Sequence, residues 1–395
     1  MKQGWEIKKL GEVCTIERGG SPRPIKSFIT SDPQGLNWIK IGDTDPTGKY
    51  IYSTKEKIKV EGLKKSRWVD ENDFLLSNSM SFGRPYILKT NGCIHDGWLV
   101  LRNYHKWLNI DFFYYLLLSP NVQNQFKAKA QGSTVSNLNT QRVAETEILI
   151  PSLLEQGRIV GVLDAVFAKI DALKENAQKN LENTKALFQQ VLKQELTPKP
   201  NWQTKKLGEI ALKKLSYGAS VPSRNFDGEY RYIRITDIDE DGKLLNDLVS
   251  PAVCEEKHIL HSGDLLLART GGTIGKSYLY SPEDGKCIYA GYLIRVIVNQ
   301  DIVLPEFVFL NTKTDRYWKF IKTSQKTAAQ PNINAQQYSS FDIPYPPKDE
   351  QEGIVRKIKS IFTKQKQLEK CCQKTIAECD ALKQAVLRRA FNGEL

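Results

Sequence analysis

The sequence predicts an α+β protein with two strand-rich domains in tandem and two long helices. Three observations predict it: an internal repeat over almost the whole chain, short β-branched and aromatic runs between turn residues in the first part of each repeat, and an apolar heptad pattern in the last part. A chain of 395 residues is long enough for two or three domains that each bury a core.

The repeat consists of segments that return in the same order 194 to 197 residues later. They include WEIKKLGE at position 5 with WQTKKLGE at 202, WIKIGDTDPTGK at 38 with YIRITDIDEDGK at 232, and CIHDGWLV at 93 with CIYAGYLI at 287, which aligns Cys93 with Cys287. So many ordered matches indicate a tandem duplication.

Each repeat has the same two parts, which predicts four segments. Residues 1–150 and 198–347 form strand-rich domains, with one short helix each at IDFFYYLLLSP and LPEFVFLNTK. Residues 151–197 and 348–395 form the long helices. Ser152 and Glu155 make a capping box after Pro151, and Pro346-Pro347 ends the matching strand in the second repeat.

The long helices carry apolar residues that alternate at spacings of four and three, which is the pattern of a coiled-coil seam. In the first helix the apolar seam residues are Ile159, Leu163, Val166, Ile170, Leu173, Leu187 and Val191. In the second helix they are Ile354, Ile358, Ile361, Leu368, Cys372, Cys379, Leu382 and Val386.

Each seam needs a partner helix of similar length, and each of the two long helices can be the partner of the other. Helices of this length extend roughly 65 Å at 1.5 Å per residue. We expect them to pair as an antiparallel coiled coil with one strand-rich domain at each end, a dumbbell with pseudo-twofold symmetry.

Composition restricts the class of protein. The net charge of +12 and the pI near 9.1 favour a polyanionic partner, because a basic surface binds nucleic acid through counterion release. The sequence has no apolar run long enough for a membrane span and no secretion signal, so we expect a cytoplasmic protein. Its seven cysteines include no CxxC pair, which fits a reducing compartment.

The segment TGGTIGKS, from Thr270, resembles a phosphate-binding loop of nucleotide hydrolases. The spacing differs, since only three residues separate Gly271 from Gly275 where that loop has four. Apolar runs on both sides favour a glycine-rich turn between two strands. Its partner in the first repeat is SNSMSFGRP, which aligns Gly275-Lys276 with Gly83-Arg84. The glycines and the basic residue suggest close approach to phosphate, and the recurrence as SMSFGRP argues against a nucleotide site.

Other candidate sites are weaker. Cys254, His258 and His261, with Cys287, have spacings that zinc can use, but the first repeat has no counterpart of the histidines. Among Cys371, Cys372 and Cys379, two lie on the seam, where cysteine serves as a small apolar residue. Catalytic motifs are missing, and the repeated Asp43 and Asp45 follow a strand where aspartate favours turns.

With catalytic and metal sites set aside, the candidate functional regions are three polar loops in each repeat. They are ERGGSPRP, SNSMSFGRP and AQGSTVSNLN in the first repeat, and SYGASVPSR, ARTGGTIGK and SQKTAAQPNIN in the second. These residue types read base edges and hold phosphates. The predicted DNA-binding residues are Arg23, Asn78, Ser79, Arg84, Ser133, Asn137, Arg224, Arg269, Thr270, Thr273, Lys276, Gln330 and Asn332. Because the loops differ between repeats, we expect an asymmetric site of two parts rather than a palindrome.

Taken together, these motifs resemble the specificity subunit of type I restriction-modification systems over essentially the whole chain. The resemblance rests on both W-x-x-K-x-L-G-E openings, G-S-P-R-P, S-F-G-R-P, T-I-G-K, Q-G-S-T-V-x-N-L-N, the two strand-proline-EQ-helix junctions and the terminal LRRAFNGEL.

The resemblance implies two target recognition domains that read a split DNA site, held apart by the coiled coil. It implies assembly with two modification subunits, which bind S-adenosylmethionine and methylate adenine, and with restriction subunits that use ATP and magnesium. The chain itself would hold no cofactor or metal and would not be an enzyme.

Two alternatives remain open at this point. The chain could be the recognition part of another methyltransferase or nuclease system, although such enzymes carry catalytic motifs in the same chain. It could also be a coiled-coil scaffold or adaptor whose globular ends bind proteins.

Overall fold

The computed structural model describes residues 4–78, 83–130, 138–325 and 332–395. The chain divides into two compact units: unit 1 comprises Met1–Gln178 with Gln373–Leu395, and unit 2 comprises Lys179–Cys372. Each long helix therefore contributes residues to both units. Within the described ranges, no helix combines the length and apolar character that crossing a membrane requires.

Unit 1 contains two five-stranded sheets, a two-stranded sheet and a group of short helices before its first long helix. The strands are β1 (Glu6–Lys9), β2 (Thr15–Arg18), β3 (Ile29–Thr30), β4 (Leu36–Ile39), β5 (Tyr50–Ile51), β6 (Glu56–Ile58), β7 (Arg67–Val69), β8 (Phe74–Ser77), β9 (Pro85–Leu88), β10 (Gly92–Ile94), β11 (Trp98–Arg102) and β12 (Glu147–Ile150). The helices are α1 (Leu10–Val13), α2 (Ile110–Leu118), α3 (Pro120–Ala130), α4 (Thr140–Ala144) and α5 (Leu153–Glu195).

Unit 2 repeats this order with fewer strands in the part of the chain that the structure describes. The strands are β13 (Gln203–Lys206), β14 (Ser216–Tyr217), β15 (Ser223–Asn225), β16 (Arg231–Ile233), β17 (Val249–Pro251), β18 (Leu265–Ala268), β19 (Ser277–Leu279), β20 (Cys287–Tyr289), β21 (Leu293–Val296) and β22 (Asp342–Tyr345). The helices are α6 (Pro305–Asn311), α7 (Asp315–Ser324), α8 (Ala335–Ser339) and α9 (Lys348–Phe391).

The sheet orders show that both units share one frame, the strands and helices that occur in each. Unit 1 has the sheets β2-β11-β8-β9-β5, β3-β6-β4-β10-β7 and β1-β12. Unit 2 has β14-β21-β18-β19, β16-β20, β15-β17 and β13-β22. The parallel pair β4-β10 recurs as β16-β20, and the antiparallel pair β1-β12 recurs as β13-β22. The predicted α+β tandem duplication is confirmed.

The central sheet of each unit is buried on both faces, which explains its nearly continuous apolar strands. Along β8, Phe74 and Leu76 pack in one core with α2 and α5, while Leu75 packs with β4 and β10 in another. In β18, Leu265 and Leu266 divide in the same way between two cores. Alternation of side chains along a strand produces this three-layer arrangement.

The two long helices run antiparallel within each unit. In unit 1, Lys174 Nζ lies 2.6 Å from Asp380 Oδ1, and Lys383 pairs with Asp171. As residue numbers rise along α5, those of the partners on α9 fall. In unit 2, Phe188 and Phe362 have ring centroids 5.4 Å apart, and Glu195, later on α5, lies 2.8 Å from Lys357, earlier on α9.

Burial of the predicted seam residues is uneven. Those that are buried are Ile159, Leu163, Ile170, Ile354, Ile358 and Cys379, and those partly buried are Val166, Val191, Ile361, Cys372 and Val386. Leu173, Leu187, Leu368 and Leu382 are 48% to 60% exposed. This differs from an unbroken seam, because burial near the sheets is completed by other elements: Tyr115 of α2, for example, packs its ring against Phe167 at 5.4 Å.

A buried glutamine fixes the start of each long helix. In unit 1, Gln156 Oε1 accepts from the Asn109 N–H at 2.8 Å, and its Nε2 donates to the carbonyls of Trp107 and Pro151 at 2.9 and 3.0 Å. Its counterpart Gln351 bonds the Leu304 N–H and the carbonyls of Ile302 and Pro346 at 2.8, 3.2 and 2.9 Å. The glutamine of the repeated EQ motif therefore has a structural role in both units. These contacts join the helix to the loop before α2 or α6.

Candidate nucleic-acid interface

In unit 1 a polar cluster forms around Asp96, which follows β10. The Ser21 hydroxyl donates to Asp96 Oδ1 at 2.5 Å, while Asn78 Nδ2 and Arg18 Nε donate to the Asp96 carbonyl at 2.9 and 3.2 Å. We call these residues, together with His95, the Asp96 node. The node brings together the loops ERGGSPRP and SNSMSFGRP, which the sequence predicts to bind DNA.

The carboxylate of Asp96 is ionised and partly open to solvent. The hydrogen bond from Ser21, aided by the nearby His95 and Arg23, lowers the pKa of Asp96 below its usual value. Arg23 is the loosest of these contacts, since its Nη2 lies 3.8 Å from Asp96 Oδ2 and its side chain is 81% exposed. Asn78, in contrast, is buried, with its Nδ2 donating to the Asp96 carbonyl, and its contact with DNA stays a prediction.

In unit 2 the equivalent place holds a guanidinium. Arg269 follows β18 and stacks on the ring of Tyr217 at 4.7 Å, and its Nε donates to Asn332 Oδ1 at 3.2 Å. The Arg269 N–H also donates to the carbonyl of Tyr292, whose side chain is 61% exposed. We call Tyr217, Arg269, Tyr292 and Asn332 the Arg269 node. It joins two predicted DNA-binding residues, Arg269 and Asn332.

Backbone contacts show that the nodes are equivalent. Asn78 N donates to Gly97 O and Arg269 N to Tyr292 O, at 3.0 and 3.1 Å. The carbonyls of Asn78 and Arg269 accept from Leu138 N and Ile333 N, respectively, at 3.2 and 2.9 Å. The loop before α4 or α8 is thus tied to the loop after β8 or β18 in both units.

One alignment from the sequence is wrong by a single residue. Cys93 pairs with Trp38 in the sheet, whereas Tyr232, the counterpart of Trp38, pairs with Ile288 rather than with Cys287. A shift of one residue moves side chains to the opposite face of a strand, so burial decides the register. Asp96 is therefore equivalent to Gly291.

The TGGTIGKS segment is a hairpin turn. Gly271–Thr273 forms one 3₁₀ turn between β18 and β19, and Lys276 is followed by a strand instead of the helix of a phosphate-binding loop. Gly275 has φ of +86°, and a Cβ there would lie 2.9 Å from the Trp318 ring. Gly83 has φ of +81° at the matching turn. The predicted alignment of these two glycines is confirmed.

The basic residue after each of these glycines braces a neighbouring loop. Arg84 Nη2 donates to the Gly48 carbonyl at 3.2 Å, and Lys276 Nζ donates to the Ile238 carbonyl at 3.2 Å and lies 2.9 Å from Glu240 Oε1. Both loops belong to the repeated D-x-D motif. Whether these cations also reach DNA stays a prediction.

The aspartates of that motif are turn residues. Asp43 Oδ2 accepts from Lys40 N at 2.8 Å and Asp237 Oδ2 from Arg234 N at 2.8 Å. Asp45 Oδ1 accepts from Thr47 N at 2.8 Å. The local hydrogen bonding expected from the sequence is confirmed.

The remaining predicted residues are distributed around the nodes. Arg224 Nη2 donates to Asp227 at 2.6 Å and its Nε to the Pro251 carbonyl at 3.1 Å. Thr273 donates to the Thr270 carbonyl at 3.0 Å, and Thr270 forms a β-bridge with Asn332. Four predicted residues lie outside the described ones: Ser79, Ser133, Asn137 and Gln330.

The cysteine and histidine candidates do not assemble into a metal site within the described residues. Cys254 is exposed, whereas Cys287 is buried in the core beside Tyr289. His258 is also buried, with its ring against Tyr289 at 5.6 Å, and burial lowers its pKa. Cys14, Cys93 and Cys379 are buried as well.

Sequence reasoning missed Asp96, Tyr217 and Tyr292. A usable signal was present: HDGW and YAGY differ in chemistry inside a segment that otherwise repeats. Such differences at the end of a repeated strand mark positions where the two units share the same backbone structure but carry different exposed side chains.

Fold and surface together define a tandem α+β recognition protein, with one frame used twice and a different polar node on each copy. The family described as "Type I restriction modification DNA specificity domain" matches residues 2–183 and 199–378. The chain belongs to this family and carries two copies of its domain.

Individual relatives agree with this family. The chain is 23% identical to the type I restriction enzyme EcoKI specificity subunit of Escherichia coli K12, over all of this chain and 90% of the relative. A chain from a structure of a type I R-M system has a TM-score of 0.82 at 22% identity, covering 100% of this chain and 99% of the other. The HsdS subunit of Thermoanaerobacter tengcongensis has a TM-score of 0.58 at 21% identity, covering 100% and 98%.

Proposed function

We propose that the chain is the DNA-recognition subunit of a type I restriction-modification complex and reads an asymmetric site of two parts, one part per unit. The observation that carries the proposal is the difference between the nodes: one frame presents Asp96 in unit 1 and Arg269 in unit 2. Identical readers would select a palindrome, whereas different readers select two different half-sites.

Nonspecific affinity comes from the excess of basic residues. The net charge of +12 supports binding to phosphates with strong salt dependence. Base selection then falls to the node side chains, since phosphate contacts position a protein and base contacts specify its site.

Methylation and cleavage belong to partner subunits in this proposal. Modification subunits bind S-adenosylmethionine, and restriction subunits use ATP and magnesium, while this chain carries recognition alone. Two modification subunits dock on the long helices. Support comes from exposed leucines that recur 195 residues apart, Leu173 with Leu368 and Leu187 with Leu382.

Selection from a randomised duplex pool tests the proposal. The chain is purified alone and with a modification subunit, and bound duplexes are sequenced. We expect the assembled complex to enrich a bipartite sequence with dissimilar halves. Enrichment of a palindrome, or of no sequence by the assembled complex, contradicts the proposal.

The helices set the spacing between half-sites in this proposal. A seven-residue insertion in the exposed middle of α5 or α9 should change the tolerated spacer or abolish binding, because one heptad adds roughly 10 Å. The same selection experiment measures the spacer. An unchanged spacer with unchanged affinity shows that the helices do not set the distance.

A further inference from the structure

The two nodes present opposite hydrogen-bonding chemistry at one place in the repeated frame. Asn78 of unit 1 is equivalent to Arg269 of unit 2, and Asp96 is equivalent to Gly291. Unit 1 therefore exposes a carboxylate, which only accepts hydrogen bonds, and unit 2 exposes a guanidinium, which only donates them.

Arg269 is half-buried, and its guanidinium is held in a defined plane. Stacking on Tyr217 fixes the plane, and the bond from Nε to Asn332 fixes the rotation about it. Among the residues that the structure describes, none accepts from the two Nη atoms. A pair of parallel Nη–H donors matches O6 and N7 of guanine.

The carboxylate of Asp96 is held from its backbone side. Asn78 and Arg18 donate to its carbonyl, and Ser21 donates to Oδ1. Its side chain remains 45% exposed, and Arg23 Nη2 lies 3.8 Å from Oδ2. An ionised carboxylate in a groove accepts from an exocyclic amine, and aspartate pairs most directly with N4 of cytosine.

We propose that Arg269 reads a guanine in the half-site of unit 2 and that Asp96 reads a cytosine in the half-site of unit 1. The proposal rests on the DNA-recognition function given above. Tyr217, Asn332 and Ser21 are positioning residues, since they act through the orientation of Arg269 or Asp96. The guanine and the cytosine lie in different halves of the recognised sequence.

Two substitutions test the base assignments in the assembled complex with its modification subunit. Arg269→Gln replaces the donor pair with an amide that prefers adenine, so preference for guanine should fall roughly ten- to a hundredfold at one position of one half-site. Asp96→Asn should shift one position of the other half-site from cytosine toward adenine. Sequencing of selected duplexes gives the preference at every position.

Lys286→Gln is the control in unit 2. It removes one positive charge from a side chain that is 65% exposed and is not among the predicted DNA-binding residues. We expect it to change affinity evenly, with every base preference kept. Tyr217→Leu serves as a second variant because it leaves Arg269 in place, and it should weaken the same guanine preference without altering the dependence of affinity on salt. Thermal unfolding midpoints confirm that all variants fold.

The outcomes separate this proposal from the general function. A wild-type complex that selects no bipartite sequence overturns the DNA-recognition function itself. A bipartite wild-type sequence that keeps its guanine and cytosine preferences in both variants overturns the base assignments alone. An even loss of affinity in Arg269→Gln also overturns the assignment to guanine, because it indicates a phosphate contact.

Discussion

Gln156 and Gln351 occupy equivalent buried positions and make the same three kinds of hydrogen bond, whereas Asp96 and Gly291 occupy equivalent surface positions and share no chemistry. The contrast shows which positions must keep the same residue in both repeats and which can differ. A buried amide whose partners are backbone groups cannot change without leaving those groups unsatisfied. A side chain at the rim of a sheet can change freely, and so the same frame can carry two readers.

The largest expected effect comes from the buried glutamines. Gln156→Leu leaves the Asn109 N–H and two carbonyls without their partner, and each buried unsatisfied group costs about 1 to 3 kcal/mol. We expect stability to fall by about 3 to 5 kcal/mol, measured by urea denaturation.

Two further variants show whether the effect is specific. Gln351→Leu should be equally damaging, since its bonds are the same in kind. Gln190→Leu, at an exposed position of α5, should change stability by less than about 0.5 kcal/mol. Similar midpoints for the Gln156 and Gln190 variants would contradict the importance of the buried contacts.

A second comparison concerns the corner between the D-x-D loop, α2 or α6, and the long helices. In unit 1, Tyr115 fills this corner, and its hydroxyl donates to Asp164 at 2.5 Å. Unit 2 has Leu310 there and a cavity of about 670 Å³ that Lys313 lines, where unit 1 has Leu118. The tyrosine ring fills the corner in unit 1, whereas the smaller Leu310 of unit 2 leaves a cavity that Lys313 lines.

Lys313 gives a pH-dependent test of this comparison. Burial lowers the pKa of its amine from 10.5 to about 8, against the opposing effect of Asp241, Asp239 and Glu240. Between about pH 8 and 10.5 the unfolded chain binds more protons at this lysine than the folded chain does, so this group makes stability rise with pH.

Lys313→Leu, which copies unit 1, should remove that rise. The expected gain at pH 7 is at most about 3 kcal/mol, and wild type and variant should converge near pH 10.5. Chemical denaturation at pH 7, 8.5 and 10 measures the difference. A constant difference across this range would show that Lys313 is not desolvated in the folded chain.

The parts that the sequence predicted are those whose signal is local or repeated. Heptads identify α5 and α9, and the turn after β18 follows from a glycine-rich segment between apolar runs. The assembly of the Asp96 node could not be predicted, because Ser21, Asn78 and Asp96 meet only through sheet pairing across distant parts of the chain. The exposure of Leu173 and Leu368 could not be predicted either, since a heptad pattern does not show which partner covers each apolar residue.

A smaller effect is expected at Tyr115. Tyr115→Phe keeps the ring packed against Phe167 and removes only the bond to Asp164. We expect a loss of about 1 to 2 kcal/mol, because a hydrogen bond to a charged group is worth more than a neutral one. Tyr114→Phe is the control, with a change below about 0.5 kcal/mol. Equal losses in the two variants would indicate that the Asp164 bond contributes nothing.

The smallest effect on stability is expected at Glu240, which pairs with Lys276 at the hairpin turn of unit 2. The same pair also tests whether that turn binds DNA. Lys276 lies 2.9 Å from Glu240, whose side chain is 80% exposed, and such surface pairs contribute about 0 to 1 kcal/mol. Glu240→Gln should therefore barely change the unfolding midpoint.

If Lys276 also contacts a phosphate, Glu240→Gln tightens DNA binding, because it removes a competing negative charge. In that case Lys276→Met lowers the slope of log affinity against log salt by about 0.9. Glu283→Gln removes an equal charge elsewhere in unit 2. Should Glu240→Gln and Glu283→Gln alter DNA affinity to the same extent, Lys276 braces its loop and does not bind the backbone of DNA.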